Sequence, residues 1–247
     1  MDALSERKIG HNYINDMNRE GVVVFKNLIH ADKLQALRVE IDKIRKIVMT
    51  KIVTMDRPIR PYSDIVEREL GRLDYRCGFT APIFNDVGAP IIKLICDLSP
   101  SVDFRHYWGV IPSLGGAGAT GMHRDVYSVV NTTQGVNLDF FDVSLPPYYF
   151  TVLIPLIDIT PENGPTQFVK GSKYELIVDE QTAEIYMPLL SQGDIVIFDG
   201  RTLHKGSANK TTEERLVAYI TFVANWYHDQ TFSINDYLFP ELAVRSK

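Results

Sequence analysis

From about residue 102 onward, short β-branched and aromatic runs follow one another with no helical periodicity between them, and this limits the fold more than any other feature of the chain. DFRHYWGVI (103–111), YYFTVLIPLIDI (148–159), GDIVIFDG (193–200) and RLVAYITFVANWY (215–227) are punctuated by PP, NGP, GS and DG turn signals. Many strands joined by turns, without alternating helices, predict a sandwich or barrel rather than a parallel α/β sheet.

The first hundred residues read differently. Gly21 opens the short run VVVF (22–25). Asp32 then stands where a helix N-cap belongs, ahead of Leu34, Leu37, Ile41, Ile44 and Val48, whose spacing of three and four makes one buried stripe. A second helix is predicted from Pro90 through Ile91, Leu94, Ile95 and Leu98, stopped by Ser99-Pro100. Residues 54–89, between the helices, carry prolines and charges and read as an irregular connection. The expected class is therefore α+β and β-dominated: a double-stranded β-helix (jelly roll, cupin-like) buttressed by N-terminal helices. One domain spans 1–247, with about 1–100 as helical buttress and pocket segment, about 101–228 as core and 229–247 as a C-terminal tail.

Composition narrows the function classes. The 247 residues hold 26 Lys+Arg against 31 Asp+Glu, a net charge of −5, which argues against a cationic surface for nucleic acid. The 2 cysteines, Cys77 and Cys96, fit neither a disulfide scaffold nor a zinc finger, and a reducing, cytoplasmic setting is expected. No apolar run nears the roughly 20 residues of a membrane span, the opening MDALSERKIG has no signal-peptide character, and the final Arg245-Ser246-Lys247 is not the Ser-Lys-Leu peroxisomal address. A small-molecule partner and a monomer or homodimer are expected, with no nucleic acid or membrane.

Two motifs are decoys. GAGATG (116–121) matches the dinucleotide pattern G-x-G-x-x-G, with Asp142 about 20 residues on. The following MHRDVYSVVN is poor in helix formers, so a flexible loop is expected instead. His-x-Asp occurs at His30/Asp32 and at His123/Asp125. Two such side chains on a strand share a face, but the first pair sits at a helix start, where Asp32 is better read as a cap.

His123/Asp125 lies in the strand-rich region. Downstream, GDIVIFDGRTLHKGS supplies His204, and Arg215 follows 11 residues later. Two imidazoles and one carboxylate on a rigid barrel form a facial triad with open metal positions, a ligand set suited to non-haem Fe(II). Arg215 begins a strand on which Val217, Tyr219, Thr221 and Val223 share its face. A guanidinium inside an apolar barrel calls for an anion, supplied either by the chain's own acids or by a bound dicarboxylate such as 2-oxoglutarate.

Across about residues 20–228 the sequence resembles the phytanoyl-CoA dioxygenase family of Fe(II)/2-oxoglutarate-dependent oxygenases, in GVVVFKNLI, GMHRD, NGPTQFVKGS, and GDIVIFDGRTLHKGS followed by RLVAYITF. The resemblance implies iron ligands at His123, Asp125 and His204, and the distal 2-oxoglutarate carboxylate on Arg215. It also suggests co-substrate contacts from Thr120 and Thr166, and a co-substrate or substrate arginine at Arg72 or Arg76. Retention of Asp125 points to oxygenation rather than halogenation. The implied reaction oxidises a C–H bond of a small metabolite, by hydroxylation, desaturation or ring closure, with O2 as co-substrate and release of succinate and CO2.

Trp108, Tyr127, Tyr148, Tyr149, Trp226 and Tyr227 are candidate pocket aromatics. The segments Met55 to Cys77 and Asn131 to Pro147 are candidate lids. Two other readings are a catalytically silent jelly-roll binding module and a zinc hydrolase; the latter gives Arg215 no purpose and lacks an evident general base.

Overall fold

The computed structural model describes residues 12–54, 63–76, 78–126, 145–174 and 182–229, together with 232, 238, 239 and 242. Three helices, α1 (Asn12–Glu20), α2 (Ala31–Thr54) and α3 (Pro82–Leu98), pack against a sheet drawn from both halves of the chain. The strands are β1 (Val22–Phe25), β2 (Ile65–Glu69), β3 (Arg72–Tyr75), β4 (Phe104–Ser113), β5 (Tyr149–Pro155), β6 (Thr166–Val169), β7 (Ile185–Tyr186), β8 (Ile195–Asp199), β9 (His204–Gly206) and β10 (Arg215–Ala224).

Seven strands form an antiparallel sheet in the order β1-β8-β5-β10-β4-β3-β2, and a smaller sheet has the order β7-β6-β9. An antiparallel bridge between His123 and His204 extends the smaller sheet. This is the expected double-sheet, β-dominated architecture with buttressing helices.

Period-2 alternation gives the large sheet two distinct faces. On β10, Leu216, Ala218, Ile220 and Phe222 point toward the helices, joined by Phe150, Val152 and Ile154 of β5 and by Ile195 and Ile197 of β8. They meet the α2 stripe of Leu34, Leu37, Ile41, Ile44 and Val48, all buried as its spacing predicts. Each such aliphatic side chain contributes about 1.5–3 kcal/mol on burial. The intervening residues, Arg215, Val217, Tyr219 and Thr221 on β10 and Thr151 and Leu153 on β5, line a cavity on the other face. The core thus lies on one side of the sheet and the cavity on the other.

The N-terminal region departs from expectation in three places. The connection predicted to be irregular contains the hairpin β2–β3, turned at Gly71 (φ 76°), which adds two strands to the large sheet. Helix α3 begins at Pro82 rather than Pro90, so Pro90 lies inside it. Proline has no N–H to offer the carbonyl four residues back; Lys33 Nζ stands 3.5 Å from that carbonyl, of Asp86. Asp32 is inside the first turn of α2 rather than at its cap, and Leu34 N–H bonds the His30 carbonyl at 3.0 Å.

The C-terminal region also joins the core. The Leu238 and Phe239 N–H groups each donate to a carboxylate oxygen of Asp64 at 2.9 Å, and the Phe239 ring is fully buried. Among the described residues, no helix is long and apolar enough to cross a membrane.

Candidate metal centre

Two chain segments run side by side to make the centre. His123 N–H donates to the His204 carbonyl and His204 N–H to the His123 carbonyl, both at 2.9 Å. This reciprocal pair sets the two histidines directly opposite one another. Asp125, two residues along and so on the same face as His123, is fixed by its N–H to the Gly200 carbonyl at 2.9 Å.

The ligand atoms of His123, Asp125 and His204 all lie within 4.8 Å of one another. Asp125 Oδ1 is 3.6 Å from His204 Nε2 and 3.9 Å from His123 Nε2. Each histidine places Nδ1 against a backbone carbonyl, Gly121 for His123 at 2.8 Å and Thr202 for His204 at 2.9 Å. With Nδ1–H donating, the Nε2 lone pair faces the centre, a tautomer inferred from these contacts. Burial pushes the His204 imidazole below its usual pKa, with His123 adding to the shift and Asp125 opposing it, so it is neutral at pH 7 and able to bind a cation.

The Asp125 carboxylate is steered by a residue that sequence reasoning missed. Thr151 donates its hydroxyl to Oδ2 at 2.7 Å, leaving Oδ1 for the centre. Its one advance signal was a polar residue inside the apolar run YYFTVLIPL.

Beyond the triad, the cavity is lined by Arg215, Arg72, Thr120 and Thr166. The Arg215 guanidinium donates Nη1 to the carbonyls of Asn163, Gly164 and Ser207 and Nη2 to the Ser113 hydroxyl. No carboxylate pairs with it among the described residues, and its buried Nε makes no hydrogen bond. Burial, with repulsion from Arg72, pulls its pKa down to about 9, the mark of a buried cation lacking an anion.

Arg72 is also buried, donates Nη2 to the Ser207 carbonyl at 2.6 Å and leaves its Nε without a hydrogen bond. It lies so close over Gly206 that a Cβ there would overlap Nη1. Thr120 closes the same corner: its N–H donates to the Gly206 carbonyl at 3.0 Å, and its Oγ1 accepts from Gly206 N–H at 2.9 Å. The GAGATG segment is thus a loop, but an anchored one rather than a flexible one; Gly116 N–H bonds the Asn209 carbonyl and Asn209 N–H the Ala117 carbonyl, both at 2.9 Å.

The other expected contacts divide. Tyr149 lines the cavity. Trp108 does not; it sits in the helix-side core with its ring 5.1 Å from Phe84, because its position on β4 faces the helices. Trp226 is 56% exposed and packs on Tyr148 and Tyr227 away from the cavity, since it follows the end of β10. Tyr148 and Tyr227 likewise belong to that side cluster. Arg76 pairs with Asp74 at 2.9 Å and does not line the cavity. Tyr127 lies outside the described residues, as does most of the second candidate lid; the first is described over 63–76, where the β2–β3 hairpin brings Arg68 and Arg72 to the cavity.

Residues 17–217 match the phytanoyl-CoA dioxygenase (PhyH) family. The chain belongs to that family. Its curated relatives include the iron/alpha-ketoglutarate-dependent dioxygenase penM of Penicillium thymicola, 26% identical over 223 residues, 88% of this chain and 69% of that protein. Another is the dioxygenase trt7 of Aspergillus terreus, 23% identical over 212 residues, 81% of this chain and 68% of that protein. Among solved structures, HygX of Streptomyces hygroscopicus with nickel, 2-oxoglutarate and hygromycin B superposes with a TM-score of 0.67 at 14% identity, covering 89% of each chain. The epimerase SnoN of nogalamycin biosynthesis gives 0.60 at 18% identity, covering 85% of this chain and 81% of SnoN. At such identities the likeness is one of fold, and it agrees with the double-sheet core of this phytanoyl-CoA dioxygenase family member.

Proposed function

We propose that His123, Asp125 and His204 hold the iron of a 2-oxoglutarate-dependent dioxygenase, and that Arg215 receives the far carboxylate of 2-oxoglutarate, with Arg72, Thr120 and Thr166 completing that end of the cavity. One juxtaposition carries the reading: three convergent ligand atoms share a cavity with a buried arginine that has no carboxylate partner among the described residues.

The donor set fits the group. Two imidazoles and one carboxylate on rigid backbone suit a divalent non-haem iron with open positions. The buried, unpartnered Nε atoms of Arg215 and Arg72 fit a carboxylate, the best geometric match to a guanidinium.

Iron bound there supplies the redox chemistry, coupling oxidation of a substrate C–H bond by O2 to conversion of 2-oxoglutarate into succinate and CO2. The chain's part is placement. Arg215 fixes one end of the co-substrate, and Thr151 holds Asp125 in the orientation that offers Oδ1. Leu153, Val196, Phe198 and Val217 give the cavity apolar walls that exclude water from the reacting atoms.

The substrate is a small metabolite and the reaction an oxygenation or related desaturation or ring closure, a reading supported by the cavity beside the triad and by retention of Asp125. The acidic charge balance and the exposed free thiol of Cys96 support a cytoplasmic monomer or homodimer without a nucleic-acid partner. The test is oxygen-dependent conversion of 2-oxoglutarate to succinate by Fe(II)-reconstituted protein. Conversion should be lost in Asp125→Ala; equal rates in wild type and Asp125→Ala would overturn the assignment.

A further inference from the structure

Two cavity-lining cations lie outside the co-substrate end, Arg124, which donates to the Arg201 and Ser172 carbonyls, and Arg68. Arg68 is the extra residue of a β-bulge, lying between Glu67, which pairs with Leu73, and Glu69, which pairs with Arg72. Bulges re-aim side chains beside active sites, and this one turns Arg68 into the cavity that holds the metal ligands.

Its orientation is fixed from below. Arg68 donates Nε and Nη2 to Asp74 Oδ2 at 3.0 and 2.7 Å. The fully buried Asp74 also accepts Arg76 Nε on Oδ2 at 2.9 Å and the Tyr219 hydroxyl on Oδ1 at 2.8 Å. Tyr219 reaches it by laying its ring across Gly109, where any Cβ would overlap the ring. Asp74 therefore divides its charge between two arginines, and Arg68 is also attracted by the more distant Asp125 carboxylate, to which it makes no hydrogen bond. Its Nη1 makes no hydrogen bond among the described residues.

Arg68 is separate from the co-substrate end. Its support, Tyr219, lies four residues along β10 from Arg215, about 13 Å at the rise of a strand. Around it stand the aromatic rings of Tyr149, Tyr219 and Phe232. On the function proposed above, the metal and Arg215 account for both carboxylates of 2-oxoglutarate, so a third anion in the cavity has to come from the substrate.

We infer that the substrate is an apolar, ring-containing acid whose carboxylate docks on Nη1 of Arg68 while its body lies among these aromatic rings. The inference rests on the proposed function and narrows its substrate class.

The test uses the whole protein loaded with redox-inert Mn(II) and saturating 2-oxoglutarate, titrated calorimetrically with 2-naphthoate and with its uncharged counterpart 2-naphthamide. Wild type should bind the acid about tenfold more tightly than the amide, a single charge-assisted contact. Arg68→Met should bring the two within about twofold, and Arg68→Lys should retain a preference for the acid, as a structural role alone would not. Equal binding of acid and amide by wild type, no binding of naphthoate at millimolar concentration, a preference that survives Arg68→Met, or weakening of 2-oxoglutarate binding itself by Arg68→Met would each overturn the inference. The 2-oxoglutarate titration in the same samples keeps the two claims apart. Failure to bind it sinks the proposed function, whereas normal binding without an acid preference sinks only the role of Arg68.

Discussion

The Thr151 hydroxyl donates to Asp125 Oδ2 at 2.7 Å, and the opposite oxygen of that carboxylate, Oδ1, is the one that faces both His123 and His204. A hydrogen bond on the outer oxygen selects which oxygen is offered inward. Outer partners of this kind typically govern tenfold or more of metal affinity. Thr151→Val keeps the shape and removes the donor; it should weaken Fe(II) or Mn(II) binding about tenfold by titration, while Thr151→Ser stays near wild type. Unchanged affinity in the valine variant would remove Thr151 from this role.

Arg215 is a buried cation whose fork, not only its charge, is in use. Arg215→Lys retains a positive charge but cannot reproduce bidentate geometry, and it should raise the KM for 2-oxoglutarate about tenfold; Arg215→Leu should raise it about a hundredfold. Steady-state succinate formation against 2-oxoglutarate concentration measures both. An unaltered KM in the leucine variant would place the co-substrate elsewhere.

Asp74 is a fully buried carboxylate between Arg68, Arg76 and Tyr219. Burial alone would raise its pKa, but the two arginines and the tyrosine hydroxyl outweigh it and hold the carboxyl below the usual range. Removing one member of such a buried set leaves the others uncompensated, at a cost of about 3–5 kcal/mol. Asp74→Asn should therefore lower the unfolding free energy by about 3 kcal/mol in a urea titration, and a loss under 1 kcal/mol would show that the network is not structural.

The metal-free protein should lose stability on mild acidification through His204. Burial lowers its folded pKa below the value of about 6.5 found in an unfolded chain. Between the two values the unfolded chain binds more protons, so this contribution is complete above about pH 6.5 and declines as the pH falls toward the folded value. Thermal melts from pH 7.5 down to 5.5 should fall more steeply for wild type than for His204→Gln. Parallel slopes would contradict the assignment.

The triad and Arg215 were legible because strand periodicity makes alternate residues share a face: His123 with Asp125, and Arg215 with Val217, Tyr219 and Thr221. The α2 stripe was legible for the equivalent helical reason. Trp108 and Trp226 were misplaced because an aromatic residue signals burial or stacking without saying which side of a sheet it takes. Arg68, Asp74 and Thr151 were hidden for another reason. Thr151 meets Asp125 and Asp74 meets Tyr219 only through pairings distant in sequence, and Arg68, six residues from Asp74, is aimed by a bulge in the hairpin that the residue pattern does not mark. Pro90 misled the helix boundary because proline is favoured at a first helical position, whereas here Pro82 fills that place and Pro90 is carried inside the helix.

His123, Asp125 and His204 would hold iron in the cavity where Arg215 would fix 2-oxoglutarate. Anaerobic addition of Fe(II) and then 2-oxoglutarate to the purified protein, followed by visible absorption, tests it most directly. Wild type should show the weak charge-transfer band of the chelate, and His204→Ala should lose it. A band of undiminished intensity in His204→Ala, or none in metal-loaded wild type, would contradict that assignment.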